Sequence, residues 1–395
     1  MDAIYLARDN AHDLDAWSGT PHWMGKALSA AGFKLSYVSP LAGGFPIYYK
    51  LKSKLIRTLG WGYSPDGEWG YLRKYGKKAG ERIRKLPAKI ILSCGKPQLV
   101  FLQTNLPIIF FDDASMPAIV TTHPGHTNFF PPVNRRLHEA ERRVLDKCLY
   151  ACYGSDWAAD AALHKYGRAY ENKIRVIPFG ANMEVRRTRA EIEKLINTRE
   201  TGRCNLLFVG RYWDSKGGPV ALKVADELHR RGVPVQLDVV GCSPPTPVPE
   251  YIKVHGFVSK NTAEGRAKVD ALFQRSHFLI VPTRFEAYGL VFVEASSYGL
   301  PSLATDIGGV TTIVQNDRNG RRFSLDAHPT EYADYVQKLL NDQNAYITLS
   351  RSSFNEYEQR LNWTTFGKKV RELVTDAGLL HPSPRHEFTE SLSQA

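Results

Sequence analysis

A basic, glycine-rich segment at residues 208–218 is the first place where residue types and spacing suggest chemistry. It reads Phe-Val-Gly-Arg-Tyr-Trp-Asp-Ser-Lys-Gly-Gly and lies between an apolar run and a helical pattern. Glycines such as Gly210 let the backbone approach a ligand closely, and a helix N-terminus offers free N–H groups to an anion. Arg211 and Lys216 would flank the same space and bind a diphosphate. A solvated basic turn explains this segment, taken alone, equally well.

A second segment, residues 282–295, carries two glutamates in mostly apolar surroundings. Glu286 and Glu294 are separated by a little more than two helical turns, so both can face one cleft. Glu294 lies in an apolar run, where a carboxylate needs hydrogen-bond partners such as the hydroxyls of a ribose or a hexose. Gly289, at a predicted helix start, would present N–H groups to a phosphate. Glutamate is common, however, and this spacing also arises by chance.

Alternating apolar runs and helical patterns must position these segments, and they predict an α/β fold with parallel sheets. Strands are predicted at 3–7, 34–38, 99–102, 108–111, 118–122, 149–153 and 174–177, and, in the second half, at 205–209, 235–240, 278–281 and 302–304. Helices are predicted at 134–147, 188–199, 216–231 and 286–299. A chain of 395 residues is too long for one ordinary core,. We therefore predict two domains, residues 1–180 and 181–360, with a cleft facing the carboxyl ends of both sheets.

The composition is typical of a globular protein and excludes several classes. Hydrophobic residues make up 43% of the chain, yet no run approaches the ~18 apolar residues of a membrane-spanning helix,. The first residues lack the pattern of an export signal. The five cysteines form no C-x-x-C pair, which indicates reduced thiols and no metal cluster,. We therefore expect a cytoplasmic protein.

The positive charge is concentrated in one part of the chain. The formal net charge is +12, and residues 50–89 alone hold 12 basic and 3 acidic residues. Residues 48–61 interleave aromatic, aliphatic and lysine side chains. Residues 48–89 would suit peripheral contact with an anionic membrane, at about 1 kcal/mol per basic residue near the surface, and a solvated helical face suits them equally. No recognition motif accompanies the charge, so we expect no nucleic-acid partner.

Several motifs together resemble the family 4 glycosyltransferases of the GT-B fold. These are G-R-x4-K-G at 210–217, E-A-Y-G-L-V-x-x-E-A at 286–295 and G-L-P-x-x-A-T-D-x-G-G at 299–309, with further matches at 154–158, 177–182, 256–260 and 361–363. The resemblance covers about residues 1–375 and is stronger in the second half. It implies two Rossmann-like domains facing each other across a cleft, and a helix at 361–379 that crosses back to the first domain. The polar remainder, 380–395, is expected to be loose.

The resemblance also implies a role for each residue that matches a motif. Arg211 and Lys216 would neutralise the donor diphosphate, and Glu294 would bind the ribose hydroxyls. Glu286 would hold the transferred sugar together with the backbone of the following four residues. The implied donor-binding set is Gly19, Gly210, Arg211, Lys216, Val258, Glu286, Ala287, Tyr288, Gly289, Leu290 and Glu294.

Two first-domain residues have less defined roles. Asp113 lies in a segment resembling a D-A-T motif of some relatives, where it would accept a hydrogen bond from the acceptor hydroxyl or merely cap the next helix. His123, at the end of a predicted strand, would face the cleft or serve as a core or turn histidine.

The implied reaction is retaining transfer of a hexose from a nucleoside-diphosphate sugar, with UDP the first candidate and GDP the next. The leaving diphosphate itself would take the acceptor proton, so catalysis would be mostly electrostatic. No metal is expected, since the adjacent Asp112 and Asp113 do not form a D-x-D motif. The acceptor is left open among a lipid-linked saccharide, a polysaccharide and a small metabolite. A sugar-nucleotide epimerase and a non-catalytic sugar-nucleotide-binding protein remain as alternatives, and the order of the motif residues disfavours the epimerase.

Overall fold

The structure is a computed structural model that describes residues 1–41, 47–122, 128–184 and 187–380. Within the first half of these residues lies a six-stranded parallel sheet, in the order β2-β1-β3-β4-β5-β6. Its strands are β1 (Asp2–Ala7), β2 (Lys34–Val38), β3 (Ile90–Cys94), β4 (Ile108–Asp112), β5 (Tyr150–Tyr153) and β6 (Ile174–Val176). Its helices are α1 (Thr20–Ala30), α2 (Ile47–Thr58), α3 (Trp69–Ile83), α4 (Met116–Thr122), α5 (Pro131–Lys147) and α6 (Asp156–Tyr166).

The second half repeats this architecture, with a six-stranded parallel sheet in the order β12-β11-β10-β7-β8-β9. Its strands are β7 (Cys204–Val209), β8 (Val235–Val240), β9 (Ile252–Gly256), β10 (Phe278–Val281), β11 (Ser302–Thr305) and β12 (Gly320–Phe323). Its helices are α7 (Arg189–Asn197), α8 (Gly218–Arg230), α9 (Ala263–Arg275), α10 (Leu290–Ser296), α11 (Val310–Ile313), α12 (Pro329–Asn341) and α13 (Gln343–Arg360), followed by α14 (Trp363–Asp376). The predicted fold class, two Rossmann-like α/β units, is confirmed.

Two strand predictions in the first half are wrong, and three strands were not predicted. Residues 99–102 begin with the last residue of a short 3-10 helix, Pro97–Leu99, and form no strand. Residues 118–122 belong to helix α4. Leu99 and Leu102 are apolar because they are buried in the core, and an apolar run alone does not distinguish a buried strand from other buried backbone,. The true strand, β3, is buried along its whole length. The other two, β9 and β12, are sheet edges with partly exposed residues, so their apolar signal is weak.

The C-terminal helix α14 crosses back onto the first half, as predicted. Its Gly367 lies against α1, where an added Cβ would meet the Ala27 carbonyl oxygen at 2.7 Å. The Trp363 ring stacks on Phe179 with centroids 5.9 Å apart, and the Trp363 indole N–H donates to the Ala181 carbonyl at 3.0 Å. One buried apolar cluster contains residues of both sheets and of α14, so the two halves share core packing. Among the described helices, none combines the length and apolarity needed to span a membrane.

We predict that Gly180→Ala destabilises the fold, because the new methyl group would lie 2.3 Å from the Trp363 backbone nitrogen. Overpacking of this kind costs about 1–3 kcal/mol. The control is Gly80→Ala in α3, where the nearest contact of the new Cβ is an ordinary 3.8 Å. That variant should gain roughly 0.5–1 kcal/mol from helix propensity. Urea unfolding measures both, and equal midpoints for the two variants would contradict the packing proposed around Trp363.

Candidate active site

A cleft of about 380 Å³ lies between the two sheets, at the carboxyl ends of their strands,. The predicted residues that line it are Asp113, Gly210, Arg211, Lys216, Val258, Glu286, Tyr288, Gly289, Leu290 and Glu294. Ala287 and Gly19 do not line the cleft. Gly19 is buried, and the two residues before it in the chain, Trp17 and Ser18, line the cleft. His123 lies outside the described residues, and the strand at whose end it was expected is helix α4.

Lys216 and Glu286 form the central ion pair of this cleft. The Lys216 Nζ lies 2.6 Å from Glu286 Oε2, joining the loop after β7 to the loop after β10. Backbone contacts fix the same two loops, because the Ser215 carbonyl accepts hydrogen bonds from the Arg284 N–H at 2.9 Å and from the Thr283 hydroxyl at 3.1 Å. The ammonium and carboxylate groups are therefore held in place by a rigid backbone frame.

The glycines of the 208–218 segment have a packing role that the sequence did not reveal. A Cβ at Gly217, which has a φ of +77°, would lie 1.8 Å from the Pro282 carbonyl oxygen of the neighbouring loop. A Cβ at Gly210 would press on the Lys216 side chain at 2.9 Å. The N–H groups of Gly217 and Gly218 bond inside the turn, to the Asp214 and Trp213 carbonyls. These two amides are thus not free to bind an anion, which leaves Arg211 and Lys216 as the cationic groups of this segment that could bind one.

Glu286 and Glu294 reach the cleft from two different elements. Helix α10 begins only at Leu290, so Glu286 lies in the preceding loop and not on the long helix predicted for 286–299. Its carbonyl accepts a hydrogen bond from the Gly309 N–H at 3.1 Å. A Cβ at Gly308 would lie 2.1 Å from that same carbonyl oxygen. Gly308 and Gly309 therefore let their backbone pack directly against the loop of Glu286. Both carboxylates line one cleft, although the predicted reason was wrong.

Glu294 is almost fully buried and pairs with a lysine that the sequence reasoning missed. Lys260 Nζ lies 2.5 Å from Glu294 Oε1. Lys260 follows β9, in the same loop as Val258. The signal was present in the segment Gly-Phe-Val-Ser-Lys at 256–260, but its lysine could not be assigned without knowing that this loop lies beside α10.

Arg211 differs from both lysines because its charge is not neutralised. Its side chain is exposed at the edge of the cleft, and its guanidinium carbon lies 5.8 Å from the centre of the Phe257 ring. Among the described residues, the Arg211 guanidinium has no ion-pair or hydrogen-bond partner. A fork of N–H donors beside the Lys216–Glu286 pair is well suited to a diphosphate.

The first domain contributes a turn with strained backbone angles to the cleft wall that faces Lys216 and Glu286. Trp17, Ser18 and Gly19 have successive φ values of +45°, +55° and +84°, and Gly19 forms the N-cap of α1. Asn182 lies in residues 177–182, which follow β6 and lead to the second half and are here called the crossing segment. Its side-chain amide holds the turn by donating to the Ser18 carbonyl at 2.9 Å and to the Thr20 hydroxyl at 3.0 Å. Such strain persists only where the surrounding structure enforces it, and residues of this kind cluster at functional sites.

Asp113 lies next to this turn and has an unusual protonation equilibrium. The Trp17 indole N–H donates to Asp113 Oδ2 at 2.9 Å. Burial, together with the neighbouring Asp112, raises the pKa of Asp113 to about 7. Asp112 has its own cation, the buried Lys96, at 3.0 Å. Asp113 therefore exchanges between its acid and carboxylate forms near neutral pH.

We predict that Asp113→Asn stabilises the fold, and increasingly so as the pH rises. A carboxyl whose pKa is higher in the folded state than in the unfolded state is costly to ionise, so its penalty grows between pH 4 and pH 7 and is constant above,. Asparagine avoids that cost and still accepts the Trp17 hydrogen bond. The expected gain at pH 8 is about 1–2 kcal/mol, reduced by the partial exposure of the carboxyl.

Thermal unfolding of the variant and the natural protein at pH 5 and pH 8 measures this gain. Asp113→Ala is the control, because it removes the charge and also leaves the Trp17 N–H without its acceptor. A gain from Asp113→Asn that is the same at both pH values would show that Asp113 does not titrate between them.

Comparison with known proteins identifies the second half of the chain. Residues 203–342 match the family model described as "Glycosyl transferases group 1". A D-inositol 3-phosphate glycosyltransferase from Paenarthrobacter aurescens is 26% identical over 264 residues, covering 64% of this chain and 64% of that protein. An alpha-D-kanosaminyltransferase from Streptomyces kanamyceticus is 26% identical, covering 66% of this chain and 68% of the relative. The match thus spans a little under two thirds of the first relative.

Similar solved structures extend over almost the whole chain. Sucrose-phosphate synthase from Thermosynechococcus elongatus aligns with a TM-score of 0.69 at 16% identity, covering 96% of this chain and 99% of that one. WaaG, a glycosyltransferase involved in lipopolysaccharide biosynthesis, aligns with a TM-score of 0.60 at 14% identity, covering 95% and 100%. At such identities the likeness shows the fold. Together with the family match at residues 203–342, it shows a GT-B fold whose second half is similar to the group 1 glycosyltransferases.

Proposed function

We propose that this protein transfers a hexose from a nucleoside-diphosphate sugar to the hydroxyl of a saccharide acceptor, with retention at the anomeric carbon. The observation that carries the proposal is the pair of cations Arg211 and Lys216 at one end of the cleft, with two carboxylates on the same wall. Such a set binds a diphosphate at one point and sugar hydroxyls at the others. A structure of the similar Anabaena protein HepE was solved in complex with UDP-glucose, which favours a uridine donor, with guanosine next.

The diphosphate would lie between the Arg211 guanidinium and the Lys216 ammonium. Arg211 has unused N–H donors, and Lys216 would share its charge between a phosphate oxygen and the Glu286 carboxylate 2.6 Å away. Backbone hydrogen bonds to Ser215 and Gly309 hold the loop of Glu286 in place. The Glu286 carboxylate would accept hydrogen bonds from the hydroxyls of the transferred sugar. The two roles are coupled, since the lysine that attracts the phosphate also orients the carboxylate that binds the sugar.

The nucleoside would extend towards Glu294 and the loop of Val258. The buried Glu294 carboxylate has two oxygens, and Lys260 bonds only one of them at 2.5 Å. The other oxygen would accept from the ribose hydroxyls, as a buried carboxylate requires. The base would then contact Val258 and Phe257, which also line the cleft.

In the reaction, the bond from the anomeric carbon to the phosphate oxygen breaks and a bond to the acceptor oxygen forms on the same face. The acceptor proton passes to the departing phosphate oxygen, so the step needs no protein nucleophile. Arg211 and Lys216 would stabilise the negative charge that develops there. We propose that no metal is required, because these two cations supply the positive charge. Asp113, across the cleft, would position the acceptor hydroxyl through its carboxylate form.

We expect sugar nucleotides to raise the melting temperature, because a ligand that binds only the folded state stabilises it. A panel of UDP-, GDP- and ADP-sugars should give a rise for one base, and Arg211→Ala should abolish most of it. The control Arg230→Ala removes an exposed arginine of α8 that pairs with Glu227 and should leave the rise unchanged. Equal shifts for Arg211→Ala and the natural protein would contradict the diphosphate site.

We further predict that Glu286→Ala and Arg211→Ala each lose about 2–4 kcal/mol of transition-state stabilisation, or roughly 30- to 900-fold in kcat/KM. Sugar transfer to a panel of glycoside acceptors, using the donor found above, measures this loss. Arg230→Ala should stay within about twofold. Full activity in both site variants would show the assignment to be wrong. A nucleotide-dependent thermal shift with no turnover on any acceptor would favour the non-catalytic binding protein.

A further inference from the structure

Helix α2 carries an exposed apolar stripe that no part of the described chain covers. Ile47, Leu51, Leu55 and Leu59 follow one another at four-residue spacing, with exposed fractions of 77%, 64%, 63% and 67%. Such spacing places side chains on one helix face. Ten large hydrophobic residues are exposed among the described residues, and six of them form this feature, here called the α2 surface: Ile47, Tyr48, Leu51, Leu55, Leu59 and Trp61. Apolar patches of this kind mark interaction sites on soluble domains.

The opposite side of α2 is firmly attached to the first domain. Ile56 is buried in a small cluster with Tyr63, Phe129, Val133 and Leu137. Lys52, on the same side, places its Nζ 2.7 Å from the Oε1 atom of the buried Glu68. The helix therefore already has a packed face, and the stripe is a second, outward one. Changing stripe residues should leave the fold intact.

Three cations border the stripe. Lys50, Lys54 and Arg57 are exposed, and within the described ranges none of them forms an ion pair. Among the described residues, the Arg57 guanidinium donates only to the Ser53 hydroxyl, at 3.2 Å. An apolar face bordered by unneutralised cations is complementary to a surface whose outer layer is anionic and whose interior is apolar.

We propose that the α2 surface docks onto an anionic lipid bilayer. A helix of 12 residues is about 18 Å long and would lie in the plane of the headgroups, with its leucines in the acyl region and its lysines among the phosphates,. A second copy of the chain fits less well, because a two-fold contact through this stripe would bring the cations of both copies together. The charge of residues 50–89, 12 basic against 3 acidic, points the same way.

The segment that follows α2 links the buried side of this helix to the edge of the first sheet at which the cleft opens. Tyr63, which packs on Ile56, leads directly to Asp66, and Asp66 Oδ2 accepts a hydrogen bond from Arg8 at 3.2 Å. Arg8 follows β1 at its carboxyl end, the edge where the cleft opens. Docking would therefore bring the acceptor side of the cleft close to the membrane. The inference that the acceptor is a saccharide carried on a lipid rests on the proposed function, whereas docking itself does not.

Co-sedimentation of the full chain with vesicles tests the docking. Neutral phosphatidylcholine vesicles are compared with vesicles containing about one third phosphatidylglycerol, at low and high salt. We expect binding to the anionic vesicles that is at least about tenfold stronger and weakens with salt. Leu51→Ser with Leu55→Ser should reduce it about tenfold or more, and Lys50→Gln with Lys54→Gln should reduce it and its salt dependence. Leu325→Ser, at an exposed leucine of the second domain, is the matched control and should change nothing.

Two outcomes would overturn the proposal. One is binding that is absent, or that the leucine double variant leaves unchanged. The other is a concentration-dependent dimer in sedimentation velocity, dissolved by that variant, with no vesicle binding, which would assign the stripe to a second copy. The sugar-nucleotide thermal shift of the double variant is measured in parallel. It should equal that of the natural protein, so a failed docking test leaves the donor site unaffected.

Discussion

The cleft depends above all on close backbone contact between the loops that follow β7 and β10. Gly217 leaves no room for a side chain beside the Pro282 carbonyl, and the Ser215 carbonyl is bound by the opposite loop. This contact decides where Lys216 and Glu286 can be, and the short ion pair between them follows from it. The residues that carry chemistry are thus positioned by residues that carry none, which is the usual relation between a site and a rigid frame.

The first domain is tied to this frame at the cleft wall. The Tyr288 hydroxyl donates to the Phe179 carbonyl at 2.7 Å, so the loop that holds the second-domain carboxylate also touches the crossing segment. From that segment, Asn182 reaches the strained turn of Trp17, and Trp17 in turn bonds Asp113. A continuous chain of contacts therefore leads from the second-domain wall of the cleft to its first-domain wall. The raised pKa of Asp113 results from this enclosed position beside Asp112.

Much of the fold and of the second-domain wall of the cleft could be predicted from the sequence, because buried parallel strands are continuous apolar runs and the motif residues follow them directly. The edge strands β9 and β12 were not predicted, because their partly exposed residues do not form a continuous apolar run. Strand β3 was not predicted because the apolar run at 99–102 was taken for the strand instead. The hydrogen-bond and ion-pair partners of the site residues could not be predicted for a different reason. Lys260 with Glu294, and Trp17 with Asp113, join positions 34 and 96 residues apart, and no local periodicity encodes such pairs. The Trp17 turn itself depends on backbone angles that residue types do not reveal.

The chain passes between its two halves twice, once near Phe179 and again where α14 begins at Trp363. These passages lie side by side, since the two rings stack almost in parallel, with 13° between their planes. Two adjacent covalent connections have the arrangement of a hinge between the two halves. Sliding of one half past the other would have to break that stack, whereas rotation about it would not. A rotation of one half about these two connections would change the width of the cleft.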